Sequence, residues 1–245
     1  MATTSTGFQP EAKGLAPVAL PGRLNYHHDI NADHSSGAAT LKRHMEMTLA
    51  AANALNARRQ MVDRTITETA NLLQIEKAVA DFRANYEKAQ ANAVAAVRSS
   101  LTLAETKLKN AVGIVPTANG REIRDRLAVM SPEARTAAMR EAFATGDKEV
   151  IGAIVGFSKV MHGLDAAEVT PLYDKYMRDT AHAEYGAVED HKKYLKYAES
   201  NDASVYGFAT EALKGCNGYI KAKEAFDTIL ASFGEPEADE ESEAA

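Results

Sequence analysis

Asp179 and His182 lie three residues apart, the spacing at which one helix turns a carboxylate and an imidazole toward the same metal. Carboxylate-bridged di-metal centres in helical bundles need a second acid-to-histidine pair and two further acids. No second Asp/Glu-x-x-His occurs in the chain, so the pair predicts no such centre. His27, His28, Asp29, Asp33 and His34 gather further ligand types, but without a recognised ligand spacing. His191 falls on an apolar stripe near Glu184 and Tyr194, where a hydrogen-bonded core or boundary histidine is expected rather than a catalytic base. Seven of the nine tyrosines follow Thr170. At helical spacing such a stripe reads as core with hydroxyls reaching its edge, and residues 173 to 194 are the place where a small ligand or metal would sit if the protein bound one.

Positive charge concentrates at Arg121, Arg124, Arg126, Arg135 and Arg140. Glu122, Asp125, Glu133 and Glu141 interleave with them, which describes a solvated, salt-bridged face. The functional alternative is a docking patch formed by Arg121, Arg124, Arg135 and Arg140 for an acidic surface, the chain's own tail included. Phosphate-loop, dinucleotide, metalloprotease and nucleophile-elbow fingerprints do not occur. The expectation is therefore a non-enzymatic protein without catalytic residues, cofactor or metal. Cys216, the only cysteine, rules out an intrachain disulfide and reads as a small buried side chain in a reducing compartment.

Formal net charge is -6, and the six acids from Glu235 to Glu243 account for all of it. The remaining body, with 28 basic and 28 acidic residues, makes no general electrostatic case for nucleic acid, so a nucleic-acid adaptor working through the middle arginines is the weakest alternative. Aromatic residues are 7% of the chain and tryptophan is absent, which points to helices packed through alanine and aliphatic side chains. No apolar run approaches the roughly 18 to 20 residues that span a bilayer, and Gly14 to Leu20 is too short and too interrupted by Pro17 for a secretion signal. These features predict a soluble cytoplasmic protein with no membrane partner.

The element that must position everything else is residues 38–112, 75 consecutive residues without glycine or proline. As one helix it would be roughly 110 Å long at about 1.5 Å per residue. A heptad-like seam runs through Leu41, Met45, Leu55, Val62, Ile66, Leu72, Ile75, Val79, Phe82 and Tyr86, and marks the face expected to be covered partly by the C-terminal helices and partly by a second copy, in self-association into a homo-oligomer. Arg59 occupies one seam position, where snorkelling to solvent is expected ahead of the alternative, a charge that selects register against a partner acid. The seam slips by successive threes between Ile66 and Ile75, so two packing environments divided near Leu72 to Ile75 are expected. Alanine in Ala89 to Ala96 allows close helix approach.

Around this segment the chain divides into a flexible arm over 1–37, short helices over 113–163, a C-terminal bundle over 164–233 and a disordered acidic tail over 234–245. The fold class is all-α: one very long helix plus a bundle of shorter ones. Ser131 before Pro132 and Glu133, then Asp147, then Asp165 with Glu168, are helix starts. One stripe runs from Val169 to Ala198, and Asn201 with Asp202 marks a turn before a last helix ending near Phe233.

The segment from Asp125 to Val155, continuing to His162-Gly-Leu and Asp165, resembles uncharacterised proteins encoded beside tailed-phage capsid and tail genes. The resemblance covers about 45 residues and carries over no functional residue. It implies a context, a virion or virion-assembly protein with other virion proteins as partners, in the host cytoplasm or the particle.

Overall fold

The computed structural model describes residues 14–115, 117–155, 157 and 159–216, with only the backbone at 159 and 160. Helices make up the secondary structure, and no strand occurs among the described residues. In order they are α1 (Ser36–Gln60), α2 (Glu68–Val112), α3 (Gly120–Val129), α4 (Pro132–Thr145), α5 (Lys148–Ile154), α6 (Lys159–His162), α7 (Ala166–Thr180) and α8 (His182–Ala212), preceded by 3-10 turns at Gly22–Asp29 and Ala32–His34. The all-α class and the very long helix are present, the latter as the 45 residues of α2.

The long segment is nevertheless two helices. It opens at 61–67, ahead of the expected division near Leu72 to Ile75. Neither glycine nor proline causes this; side chains compete for the backbone instead. The Asp63 carboxylate accepts from the amide and hydroxyl of Thr65, at 2.9 and 2.6 Å. Asn71 reaches back, accepting from the Asp63 amide at 3.1 Å and donating to its carbonyl at 2.9 Å. Thr67 then caps the restart by accepting from the Ala70 amide.

The chain forms two compact units. The described part of the first comprises 14–29, 43–92 and 199–216. Within it the α1 and α8 segments run parallel and α2 runs against them, since Arg59 meets Ala212 while Tyr86 meets Asp202 and Phe82 meets Phe208. Met45, Leu55, Ile75, Val79, Phe82, Val205 and Phe208 fill the core.

The expected flexible arm is corrected here from residue 14 onward. Leu24 is wholly buried, and residues 15–18 lie along the last turns of α1, Leu15 donating to the Arg59 carbonyl at 2.8 Å and Val18 exchanging two hydrogen bonds with Asn56. Arg59 does not snorkel. It is 4% exposed and donates to the carbonyls of Ala16, Ala212 and Lys214. The expected turn at Asn201 and Asp202 is also corrected: both lie inside α8, whose Asn201, Val205 and Phe208 are buried along one stripe. The expected helix end near Phe233 and the acidic tail lie outside the described residues.

The second unit comprises Ile30–Lys42 and Ala93–Ala198. The start of α1 touches α2 so closely that a methyl group on Gly37 would sit 2.5 Å from the Ala96 carbonyl oxygen, the near approach that the alanine run permits. Ser131, Asp147 and Asp165 each cap a helix as their types require, accepting from amides two or three residues ahead. Leu108, Val112, Leu127, Met139, Phe143, Ile151, Ile154 and Leu164 make one core. The stripe from Val169 to Ala198 is not one helix, because Ala181 leaves helical geometry at φ −137, ψ 59 to bury its methyl in that core.

Replacing Arg59 with methionine keeps the bulk but strands the three carbonyls. The expected loss is about 2–4 kcal/mol in urea unfolding. Faster amide exchange should appear at Leu15 and Val18, and Arg59→Lys should recover only part, since one ammonium lacks the planar fork.

Candidate functional site

Each candidate residue was placed by the fold in one of four settings. The first is the heptad-like seam. Leu41, Met45, Leu55, Ile75, Val79, Phe82 and Tyr86 are all buried, and Val62, Ile66 and Leu72 are half-buried. The chain covers the seam with its own segments, so the expectation of a ready self-association face is corrected: a second copy could reach it only after these segments move apart.

The second setting is the arginine patch, which the structure takes apart. Arg135 donates to the carbonyls of Leu127, Ala128, Met130 and Gly163 at 2.8 to 3.1 Å, tying the end of α3 to the turn after α6. The Arg124 guanidinium lies 3.8 Å over the Phe157 ring and reaches the Ala153 carbonyl. These two are occupied by the fold, which removes them from a docking patch and from a phosphate-binding face. Arg121 remains on the surface beside Asp125, at 3.9 Å.

Arg140 opens the third setting, a cleft of about 520 Å³ at the C-terminal ends of α4 and α7. Phe143, Gly146, Leu172, Lys175, Tyr176 and Asp179 line it with Arg140. Gly146 takes the left-handed conformation (φ 71) that ends α4, and the Phe143 and Tyr176 rings meet edge to face at 6.1 Å. Two helix C-termini place partial negative charge here, which Arg140 and Lys175 offset. The cleft is therefore polar but not strongly anion-seeking. Asp179 belongs to it, whereas His182 stands exposed on the next helix, so the break at Ala181 separates the metal-like pair.

The fourth setting is polar and partly buried. In the second unit His191, 2% exposed, donates from Nδ1 to the Ala187 carbonyl at 2.6 Å and accepts at Nε2 from the Ser35 hydroxyl at 2.8 Å. Ser35 in turn caps α1 by accepting from the Ala38 amide. The Tyr194 hydroxyl accepts from the Asn31 amide and meets His34 Nδ1, which stands 3.3 Å from Asp190. His162 bridges the Phe157 carbonyl and the Leu164 amide. Among the described residues no three His, Cys, Asp or Glu side chains are gathered to hold a metal ion.

In the first unit His44 is 6% exposed and its ring lies 5.4 Å from that of Tyr86, whose hydroxyl donates to Asp202 at 2.7 Å. Burial holds the His44 imidazole below its usual pKa, against a Gln90 hydrogen bond and the Asp202 charge. Burial and the Asp202 carboxylate push the Tyr86 phenol upward. The sequence reading passed over His44, took Asn201 only for a turn residue, and passed over Ser35. For the first two a signal existed, since each interrupts an otherwise apolar helical stripe; Ser35 carried only the weak signature of a cap.

No family model, curated protein or solved structure matches this chain. Among the described residues no helix is long and apolar enough to cross a membrane.

The contrast between the arginines is measurable. Arg135→Ala, which leaves four carbonyls without their donor, should cost about 2–3 kcal/mol in chemical denaturation. Arg121→Ala and Arg140→Ala should stay within about 0.5 kcal/mol of the parent.

Proposed function

We propose that this protein is a non-enzymatic structural or interaction protein that acts through its helices, self-associates, and serves a phage particle or its assembly. The observation that carries the reading is where the reactive side chains are used. Arg59, Arg135, His162 and His191 all spend their donors on main-chain oxygens, and Arg124 spends its face on a phenyl ring. Side chains used in this way stiffen a frame built on helices of 25, 45 and 31 residues. The phage context comes from the resemblance of the segment around Asp125 to Asp165, and it names candidate partners rather than a role. Light scattering across a wide concentration range should give masses above one chain, and co-expression with capsid and tail proteins should yield a complex. A strict monomer that retains neither class of partner would overturn the proposal.

A second reading, a helical bundle that binds a small polar ligand, rests on the cleft beside Tyr176 and Asp179. Under it, Tyr176→Ala and Asp179→Asn should each abolish chemical-shift changes produced by a bound small molecule while leaving the fold intact. Failure of a chemically diverse small-molecule screen to shift the amides of Thr145 to Asp147 would count against it.

A further inference from the structure

Several buried side-chain polar atoms among the described residues have no hydrogen-bond partner. His44 Nε2 and both side-chain atoms of Asn201 are buried without a hydrogen-bond partner, and Asn201 is wholly inaccessible. A desolvated polar atom left unpaired costs about 1–3 kcal/mol, so these side chains weaken the layer in which they sit. That layer interrupts the apolar seam: His44 adjoins Met45 on α1, and Tyr86 of α2 joins the His44 ring to Asp202, the neighbour of Asn201 on α8.

We propose that His44 is an acid-sensitive latch, neutral when the α1, α2 and α8 segments of the first unit are closed, and that its protonation opens them and frees the seam to pair with a second copy of this chain. The pairing step rests on the self-association reading above; the latch does not. The groups around His44 come from every segment packed near it. Tyr86 and Gln90 face it from α2 and Asp202 from α8, while Arg23 of the N-terminal segment donates to the Ser200 carbonyl nearby. On α1 itself Arg43 and Glu46 are exposed. Asp202 is the one facing carboxylate in this group, and it already accepts from the Tyr86 hydroxyl. A proton on His44 therefore adds a charge to a layer in which the one facing carboxylate among the described residues is already in use.

The sign follows from burial. The imidazole is held below its ordinary value near 6.5. Above about pH 6.5 the stabilisation is complete, and it falls as pH drops because the unfolded chain binds the proton more readily.

The test uses the full chain and its His44→Gln variant, compared by amide exchange and light scattering at pH 7.5 and 5.0. Acid should raise exchange at Met45 to Leu55 and Ile75 to Tyr86 at least tenfold more in the parent than in the variant, and should raise the parent's mass. Equal acid responses in the two proteins would overturn the latch. Opening without a gain in mass would leave the latch standing and defeat the self-association reading. If the variant does not fold, titration of the parent's His44 by NMR decides: a midpoint below the ordinary histidine value supports the latch, and one at or above it overturns it.

Discussion

A buried guanidinium holds the first unit together. Arg59 sits where a heptad seam calls for an apolar side chain, and its acceptors are main-chain carbonyls rather than carboxylates. Two of these, on Ala212 and Lys214, lie at the C-terminal end of α8, where unpaired carbonyls and the helix dipole concentrate negative charge. The third, on Ala16, belongs to the segment that residues 15–18 lay against α1. One cation thus meets the polar demand of a helix end and of an irregular strand of chain. The last turns of α1 thus carry the N-terminal segment, Leu15 on the Arg59 carbonyl and Val18 on Asn56.

The second unit solves a related problem in the same way. Its helices α3 to α7 are short, so helix ends with unsatisfied carbonyls are frequent, and Arg135 collects four such groups from the end of α3 and the turn at Gly163. His162 and His191 perform the smaller version of this task, each bridging one main-chain oxygen to one further group. Side chains that a sequence reader would scan for catalysis are here the means by which irregular backbone is satisfied. Against that background His44 Nε2 and the Asn201 side chain stand out, because they leave buried polar atoms without a hydrogen-bond partner within one layer of the first unit.

Much of the local structure was legible in the chain. Ser131, Asp147 and Asp165 start helices because a side-chain oxygen beside free amides needs nothing from distant residues, and the apolar spacing of Ile75, Val79, Phe82 and Tyr86 marks the inner face of a helix whatever covers it. The candidate sites were less legible. Arg124 and Arg135 look identical to Arg121 and Arg140 in sequence, yet two are bound into the fold and two face solvent, since only a neighbour brought from elsewhere in the chain can occupy a guanidinium.

The sequence by itself determined the all-helical class, the long α2, the capped starts and the identity of the buried stripe, all of which follow from interactions within a few residues. Tertiary structure alone decided three things. It laid residues 15–18 along the last turns of α1, ahead of the break at 61–67 that the local contacts of Asp63 and Asn71 make. It turned the seam inward on the chain's own segments rather than toward a second copy. And it made Arg59 a central tie instead of a surface charge, because hydrophobic burial carries no address for its partner, and that partner is named only when distant segments meet.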